Sequence, residues 1–338
     1  MSFTRILFVY PETRYPTGQP HLGIASLAAV IRRAGAAETA LCDMSLQKDP
    51  LGELERQLRA FAPDLVAVTV MTTQLETVAR AAAAVRRLAP QAVLACGGPH
   101  ATVMPEDLLA RTGADLAYAG EGEIGFLRFV AGEDPAAIPG ACFRRDGAFI
   151  RVPGLLLTED LDSLPFPDRS LFDMERYFRL WYSMDRVDSR LRGTTIMASR
   201  GCPYGCTFCQ PTLSELFGRK IRKRSPAHIA DELESLRAAF GITAFMFEDS
   251  TFILDKPWVH AICDELLGRR LALRWCCNVR ANLLDEELLA HMKAAGLAKI
   301  NMGVESASQR VLDEIYQKGI TVEGVRRALD LAKAMGIY

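Results

Sequence analysis

The sequence predicts an α/β protein with two units: an N-terminal, Rossmann-like, doubly wound parallel sheet and a C-terminal, partial TIM-like (β/α) barrel. A chain of 338 residues is longer than one ordinary core needs, which favours two domains. Short apolar runs alternate with helical patterns along most of the chain, as in parallel sheets covered by helices. A proline-punctuated stretch interrupts this alternation, so we expect segments at 1–135, 136–192 (a connector) and 193–338.

Composition and charge are those of a globular protein without a dominant electrostatic partner. Hydrophobic residues make up 49% and charged residues 24%, with a net charge of -1, so no global field favours nucleic acid. No apolar stretch approaches the roughly 18 residues of a membrane span, and the start lacks a signal-peptide pattern. Nine irregularly spaced cysteines do not form a secreted disulfide framework. The expected compartment is the reducing cytoplasm.

In the first segment, strands and helices follow one another at the spacing of a doubly wound sheet. Strands are predicted at 5–10, 38–42, 65–71, 92–96 and 116–119, and helices at 22–34, 53–61, 75–88, 106–111 and from the 120–123 turn to about 130. Ligands bind such sheets at the C-terminal ends of the strands. Those ends are the loops 11–19, 69–74, 97–102 and 120–123.

The rest of the chain predicts a connector followed by a four-stranded part of a barrel. Arg145-Asp146-Gly147 indicates a hairpin within 138–152, and the aromatic-rich stretch 172–181 is expected to pack between the units. Barrel strands are predicted at 195–199, 244–248, 273–278 and 299–304, with helices at 226–240, 257–269, 285–295 and 322–335. The chemistry of such barrels lies at the C-terminal ends of the strands.

Three cysteines, Cys202, Cys206 and Cys209, follow the first barrel strand with three and then two residues between them. One short loop with this spacing can present a thiolate to each of three irons of an iron–sulfur cluster. A structural zinc would need a fourth ligand, and the next cysteine is Cys263. A zinc-binding loop and three buried thiols remain as alternatives.

This CxxxCxxC motif, with Phe208 directly before the third cysteine, resembles the radical S-adenosylmethionine (SAM) superfamily. The resemblance implies that the three thiolates hold a [4Fe-4S] cluster, whose fourth iron is chelated by the amino and carboxylate groups of SAM. It also implies an external one-electron donor of the flavodoxin or ferredoxin type. Cleavage of SAM would then give a 5′-deoxyadenosyl radical that removes hydrogen from an unactivated carbon.

The same resemblance assigns roles to residues at the barrel strand ends. Phe208 would lie near the adenine, and Glu248-Asp249 would receive the amino group of SAM. Arg280 could pair with a carboxylate of SAM or of the substrate. A helix cap at Glu248 and a structural salt bridge at Arg280 are the alternatives. The proposed contacts for the ribose and methionine portions of SAM are Glu305 and Ser306.

The first unit resembles the cobalamin-binding domains that are fused to many radical SAM enzymes. The resemblance rests on Thr69-Val70-Met71, which precedes Gly97-Gly98 with 25 residues between them. The Asp-x-His-x-x-Gly motif of such domains is absent, so cobalamin is expected to bind without a histidine from the protein. A flavodoxin-like domain without a ligand is the alternative. The candidate cobalamin-binding residues are Thr69, Thr72, Thr73, Gly97, Gly98, His100, Gly120 and Glu121.

Together these resemblances imply methylation of an unactivated carbon of a small-molecule or natural-product substrate. Radical oxidation, cyclisation or rearrangement without methyl transfer is an alternative, and so is a non-enzymatic sensor. The basic run 219–224 is interpreted as a solvated surface, because nothing aromatic interleaves it as in nucleic-acid-binding segments. Barrels of the family usually have six strands, so the four found here suggest a C-terminally incomplete barrel.

Overall fold

A computed structural model describes residues 2–13, 16–209 and 212–338. Its first unit is a seven-stranded sheet with the order β2-β1-β3-β4-β5-β6-β7, in which β1 to β5 are parallel. The strands are β1 (Arg5–Tyr10), β2 (Glu38–Asp43), β3 (Leu65–Thr69), β4 (Val93–Gly97), β5 (Leu116–Tyr118), β6 (Ala141–Arg145) and β7 (Ala148–Arg151). The doubly wound parallel sheet predicted from the sequence is confirmed.

Six helices cover this sheet on both faces, because each carries an apolar stripe at helical spacing. They are α1 (Leu22–Ala34), α2 (Pro50–Phe61), α3 (Leu75–Leu88), α4 (Pro99–Val103), α5 (Pro105–Thr112) and α6 (Gly122–Val130). Helices α1 and α6 pack on one face, and α2, α3 and α5 pack on the other. The short helix α4, within a predicted loop, was not anticipated; it begins at Pro99, a residue well suited to a first helical turn.

The predicted hairpin forms, but it belongs to the sheet rather than to a separate connector. Strand β6 pairs antiparallel with β5, and β7 pairs antiparallel with β6. The first three residues of β6 are buried, while the following Arg144 and Arg145 are exposed. Adding β6 therefore covers the edge of β5 that a five-stranded sheet would leave unpaired.

The aromatic segment after the hairpin packs between the two units, as the sequence predicts. Helix α7 (Met174–Leu180) places the hydroxyl of Tyr177 2.6 Å from a carboxylate oxygen of Asp43 at the end of β2. Phe178 contacts Phe240 of the second unit with ring centroids 6.5 Å apart. Trp181 lies against Gly193, where any side chain would collide with the indole ring.

The second unit is a four-stranded parallel sheet with the order β13-β12-β11-β8, which confirms the predicted part-barrel. Its strands are β8 (Gly193–Ile196), β11 (Ala244–Phe247), β12 (Arg274–Val279) and β13 (Leu297–Met302). Helices α9 (Pro226–Phe240), α10 (Lys256–Gly268), α11 (Glu286–Ala294) and α12 (Val322–Ala334) follow them in turn. The four helices predicted from the sequence agree with these to within one residue at each end.

A small antiparallel ribbon rises from the end of β8 and frames the loop with the three cysteines. Strands β9 (Ser199–Arg200) and β10 (Arg222–Lys223) pair with each other, and helix α8 (Thr212–Phe217) lies between them in the sequence. We call residues 201–221 the cysteine loop and the two strands its stem.

The outer strand β13 is paired on its free side by the last residue of the sequence. The N–H of Tyr338 donates to Ala298 O, and the N–H of Ile300 donates to Tyr338 O. Tyr338 therefore bonds to Ala298 and Ile300, the two residues that flank Lys299. This is the hydrogen-bond pattern of parallel strands. Among the described residues, none of the helices combines the length and the apolar character that a membrane span requires.

Candidate active site

A cavity of about 350 Å³ lies where the C-terminal edge of the first sheet faces the second unit. Its position, at the ends of β1, β3, β4 and β5, is where parallel α/β sheets bind ligands. The first unit contributes Thr69, Gly97, Gly98, Gly120 and Glu121 to the wall, among others. The second unit contributes Met197, Arg200, Leu216, Phe217, Arg224 and His228.

Two adjacent glycines form one side of this cavity and differ in what surrounds them. Gly98 has φ +92°, and a Cβ there would lie 2.9 Å from the hydroxyl oxygen of Thr69 and 3.1 Å from Val70 N. At Gly97 no atom lies within 4 Å of the position that a Cβ would take, so its open side faces the cavity. Gly98 is thus required by the protein's own backbone, whereas Gly97 leaves room for a ligand.

Three further candidates for cobalamin binding do not reach this cavity. Thr72 and Thr73 lie in a turn after β3, and His100 is in α4, with only 3% of its surface exposed. The Nδ1 atom of His100 lies 3.1 Å from the Thr72 hydroxyl, and its Nε2 lies 3.4 Å from Asp107. The structure describes all three candidates and places none of them in the cavity wall.

His21, at the start of α1, does line the cavity, but both of its ring nitrogens face protein groups. Nδ1 accepts the N–H of Ile24 at 3.1 Å and so caps the helix, while Nε2 lies 3.2 Å from the Thr69 hydroxyl. Burial lowers the pKa of His21 to about 4, so the ring is neutral at pH 7. This arrangement agrees with the absence of a histidine motif for cobalt.

Glu121 lies in the cavity wall, yet its carboxylate is engaged by protein donors. It accepts hydrogen bonds from Arg222 and from the N–H of Thr158 at 3.0 Å, and it pairs with Arg200. Its side chain is 1% exposed. The carboxylate therefore joins the two units and is already occupied by protein donors.

The interpretation of 219–224 as a solvated basic run is wrong for two of its arginines. Arg222 and Arg224 are 4% and 7% exposed, and they pair with the buried carboxylates of Glu121 and Glu232. Charges removed from water need such partners. Glu121 lies 101 residues before Arg222, directly before α6, and Glu232 lies within α9, so the run alone could not reveal the pairing.

The three cysteines of the loop lie close together at the C-terminal end of the barrel sheet. Cys202 and Cys206 are buried, Cys209 is half-buried, and the N–H of Cys209 donates to Cys206 O at 3.1 Å. Burial raises the pKa of the Cys209 thiol, and the neighbouring Cys206 and Cys202 raise it further. If all three were ionised, a nearby cation would stabilise the thiolates, and bound iron would supply it.

This donor set fits an iron–sulfur cluster better than a single metal ion. The loop supplies three cysteines, and a structural zinc would need a fourth ligand. A cubane spreads three thiolates over three irons, so its ligands lie further apart than those of a tetrahedral zinc. The other six cysteines are free and buried.

Arg280, after β12, points to the cysteine loop. It is 6% exposed, its guanidinium stacks 3.8 Å from the ring centroid of Tyr204, and its Nη1 lies 3.6 Å from Sγ of Cys206. Its Nε has no hydrogen-bond partner among the described residues. The sequence hypothesis paired Arg280 with a ligand carboxylate; the contact present is with a cluster cysteine.

The two acidic residues after β11 have different surroundings. Asp249 is 1% exposed and accepts hydrogen bonds from Ala198 N–H and the Ser199 hydroxyl. Burial raises its pKa to about 6. Asp249 therefore supports the start of the cysteine loop, and its carboxylate is already occupied by these donors.

Glu248 is half-buried at the mouth of the barrel sheet and is the more available carboxylate. Burial and the nearby Asp249 raise its pKa, and a hydrogen bond from Gln19 of the first unit opposes that shift. Beside it, Asn278 donates to Asp249 O at 3.0 Å, and Asn301 donates to Asn278. Gln19 and Asn301 extend this polar layer, and neither was singled out from the sequence.

Glu305, after β13, is paired with a lysine that the sequence analysis missed. Nζ of Lys318 lies 2.8 Å from Glu305 Oε1 and 5.2 Å from the centroid of the Phe208 ring. Glu305 adopts φ +62°, which is unusual for a residue with a side chain. Ser306 accepts the N–H of Ser308 within the same turn. Lys318 follows an irregular helical turn, so no periodic pattern marked it.

Comparisons with known proteins agree with this two-unit arrangement. Residues 14–130 match the family model of the B12 binding domain, and residues 196–338 match that of the radical SAM superfamily. An uncharacterized methyltransferase of Pyrococcus horikoshii is 29% identical over 100% of this chain and 73% of its own length. The anaerobic magnesium-protoporphyrin IX monomethyl ester cyclase of Rubrivivax gelatinosus is 28% identical over 98% of this chain and 61% of its own length.

A solved structure has the same fold over the whole chain. The radical S-adenosylmethionine methyltransferase TsrM from Kitasatospora setae, with cobalamin and a [4Fe-4S] cluster bound, has a TM-score of 0.81 at 24% identity. The match covers 100% of this chain and 66% of TsrM, so the chain spans about two thirds of that relative. The B12-binding match covers the unit whose sheet lines the cavity, and the radical SAM match covers the unit that carries the cysteine loop. The chain therefore carries a B12-binding domain followed by a radical SAM domain.

Proposed function

We propose that this chain carries the catalytic units of a cobalamin-dependent radical SAM methyltransferase that acts on an unactivated carbon of a small molecule. The observation that carries the proposal is the shared cavity. Its wall combines the glycines at the end of the first sheet with residues of the cysteine-loop stem and α8. A methyl group and a substrate radical must meet in one space, and this geometry favours that meeting.

Different residues would hold the cluster, the corrinoid and SAM, according to their position in the fold. When bound, the cluster and SAM supply one-electron cleavage and a radical, and the corrinoid supplies the methyl group. Cys202, Cys206 and Cys209 would hold the cluster. Thr69 and Gly97 would bind the corrinoid from the first unit. The carboxylate of Glu248 would receive the ammonium group of SAM, with a charge-assisted hydrogen bond.

Lys318 and Glu305 would act together at the edge of the SAM pocket. Their ion pair, 2.8 Å long, presents both a cation and a carboxylate beside Phe208. An amino acid headgroup carries the same two charges, so each partner has a complementary group to bind. Binding would exchange an internal ion pair for two contacts with the ligand.

Partners and location follow from the same chemistry. Cleavage of SAM needs an external one-electron donor of the flavodoxin or ferredoxin type. A cytoplasmic location is supported by the nine cysteines, which are all free thiols in the structure. No nucleic-acid partner is proposed, because the net charge is -1 and Arg222 and Arg224 are engaged internally.

A second candidate is radical oxidation or cyclisation without methyl transfer. The observation that favours it is the likeness to the Rubrivivax cyclase, which is 28% identical over 98% of this chain. Both candidates share SAM cleavage, so only the fate of the methyl group of SAM separates them.

The test uses SAM labelled in its methyl group. Protein reconstituted anaerobically with iron, sulfide and hydroxocobalamin is reduced and incubated with this probe. The proposal predicts both 5′-deoxyadenosine and label recovered on the corrinoid. Cleavage of SAM without labelled corrinoid would favour the oxidation or cyclisation candidate. If neither occurs, although both cofactors bind, the enzymatic proposal is wrong and a sensor is favoured.

A further inference from the structure

The carboxylate of Glu121 is the point at which the cavity wall is joined to the cysteine loop. Its Oε2 accepts from Arg222 Nη1 at 3.0 Å and its Oε1 accepts from Arg222 Nη2 at 2.5 Å, a two-pronged arrangement. Arg200 Nη1 also lies 3.0 Å from Oε2. Glu121 thus contacts two arginines of the second unit at once.

Those two arginines are the two sides of the stem. In the antiparallel pairing of β9 and β10, Arg200 lies opposite Arg222, immediately outside the cysteine loop. Glu121 therefore holds both ends of the loop that carries Cys202, Cys206 and Cys209. Glu123 adds a second contact, 2.6 Å from Arg200 Nη2.

These contacts are almost completely removed from water. The side chains of Glu121 and Arg222 are 1% and 2% exposed, and that of Arg200 is 12% exposed. Removing one partner from a buried ion pair leaves an uncompensated charge, which is strongly unfavourable. Moving the stem away from Glu121 would therefore cost a large free energy. The position of the stem consequently follows the position of Glu121.

The position of Glu121 is in turn set by the turn that lines the cavity. Gly120, with φ +79°, precedes it, and Gly122 begins α6. The side chain of Glu121 does not cap that helix and instead reaches the stem. A ligand that packs against Gly120 would fix the turn, and the turn would fix both arginines.

We propose that Glu121 is a positioning residue that couples occupancy of the cavity to the order of the cysteine loop. Corrinoid binding in the first unit then favours the loop conformation that accepts the cluster. By thermodynamic reciprocity, assembly of the cluster strengthens corrinoid binding by the same factor. The inference rests on the proposed function, since it takes the cavity as the corrinoid site.

The first measurement needs no variant. The Kd of hydroxocobalamin is determined for the full chain with and without the reconstituted cluster. We expect binding to be about 5-fold or more tighter with the cluster, the lower end of typical coupling between sites. Equal affinities would overturn the inference while leaving corrinoid binding, and so the proposed function, in place. Absence of any hydroxocobalamin binding would remove the proposed function and this inference with it.

The second measurement assigns the coupling to Glu121. Hydrogen exchange of peptides that span 199–200 and 222–223 is followed in the cluster-free protein, with and without hydroxocobalamin. The change Glu121→Gln keeps the size and a hydrogen-bond acceptor but removes the charge. The matched control is Glu232→Gln, because Glu232 is equally buried, pairs with Arg169 and Arg224, and lies outside the cavity wall.

We expect hydroxocobalamin to slow exchange in the stem about 5-fold or more in the unaltered protein and in Glu232→Gln, but not in Glu121→Gln. The ratio of the two Kd values should fall to about 1 in Glu121→Gln. Retained protection in Glu121→Gln, or its loss in both variants alike, would overturn the assignment. A merely structural role for Glu121 would lower stability without changing either response.

Discussion

The guanidinium of Arg280 lies 3.6 Å from Sγ of Cys206, and the same group stacks on the ring of Tyr204 in the cysteine loop. This buried cation directly follows β12, whereas the cysteine belongs to the loop after β8. A positive charge beside a thiolate stabilises its ionised form. When a cluster is held, hydrogen bonds and charge near its sulfurs set its reduction potential.

The change Arg280→Met should lower the reduction potential of the cluster while iron content is retained. Adding an electron becomes less favourable once the nearby positive charge is lost. The potential is measured by a redox titration followed by electron paramagnetic resonance, without SAM. Arg280→Lys keeps the charge, so its cluster should have a reduction potential between those of the unaltered protein and Arg280→Met. An unchanged reduction potential together with weakened SAM binding would contradict this prediction. It would support the pairing of Arg280 with a ligand carboxylate that the sequence predicts.

The change Gly97→Val should weaken hydroxocobalamin binding by about one to two orders of magnitude. Its side chain enters open space in the cavity, and overpacking of this kind costs about 1–3 kcal/mol. Equilibrium dialysis measures the affinity, and circular dichroism checks the fold. Gly268→Val, at the end of α10 and equally unobstructed, is the control. Equal binding by both variants would argue against a corrinoid in this cavity.

The neighbouring change, Gly98→Val, is a poorer test of ligand contact than Gly97→Val. Both glycines are predicted from the sequence to bind cobalamin, but a Cβ at Gly98 meets Thr69 and Val70 rather than open space. Its φ of +92° also strains any residue with a side chain. Loss of binding there would report damage to the turn.

The change His21→Ala should leave the visible spectrum of bound corrinoid unchanged. Both ring nitrogens face protein atoms, Ile24 N–H and the Thr69 hydroxyl, so neither is available to cobalt. The same change removes the cap of α1, which should lower the free energy of unfolding by about 1 kcal/mol. His21→Asn restores a capping acceptor and is the control for stability. A spectral shift on losing His21 would show that it ligates cobalt.

The change Glu248→Gln should weaken SAM binding by about tenfold and make it less sensitive to pH. A charge-assisted hydrogen bond contributes about 1.5–3 kcal/mol, and 1.4 kcal/mol corresponds to one decade. Burial and Asp249 raise the pKa of Glu248, so in the unaltered protein its charge is lost earlier as the pH falls. SAM affinity should therefore decline as the solution is made acidic.

The measurement is calorimetric titration of SAM into cluster-loaded protein over the acidic range. Glu175→Gln is the control, because Glu175 lies on α7, is exposed and pairs with Arg192. If the unaltered protein and Glu248→Gln bind SAM alike at every pH, Glu248 has a structural role. Glu305 is a less direct probe than the sequence suggests, because its loss also leaves Lys318 unpaired.

Much of the fold could be predicted because local patterns and tertiary packing agree along most of the chain. Helices α3 and α9 begin and end at the predicted residues, since proline and glycine mark their limits. One exception is the hairpin, whose membership of the sheet depends on pairing with β5. No local pattern states which edge a hairpin will join.

The proximity of Cys202, Cys206 and Cys209 was predictable, because a motif fixes their spacing. The site was not predictable where long-range charge pairs decide burial. Arg222 has the same local sequence pattern as the exposed Lys220, but its guanidinium is buried against Glu121, 101 residues earlier, and also donates to Thr158 O. Lys318 was missed for the same reason, because its partner Glu305 is brought near by the fold.

The most direct test of the account is the iron and sulfide content of the three cysteine variants. Cys202→Ala, Cys206→Ala and Cys209→Ala are reconstituted anaerobically beside Cys276→Ala, whose side chain is fully buried in the barrel sheet. The account predicts that each of the first three loses the cluster's absorption and the cleavage of SAM, while Cys276→Ala retains both. Full iron content and SAM cleavage in any one of the three would contradict it.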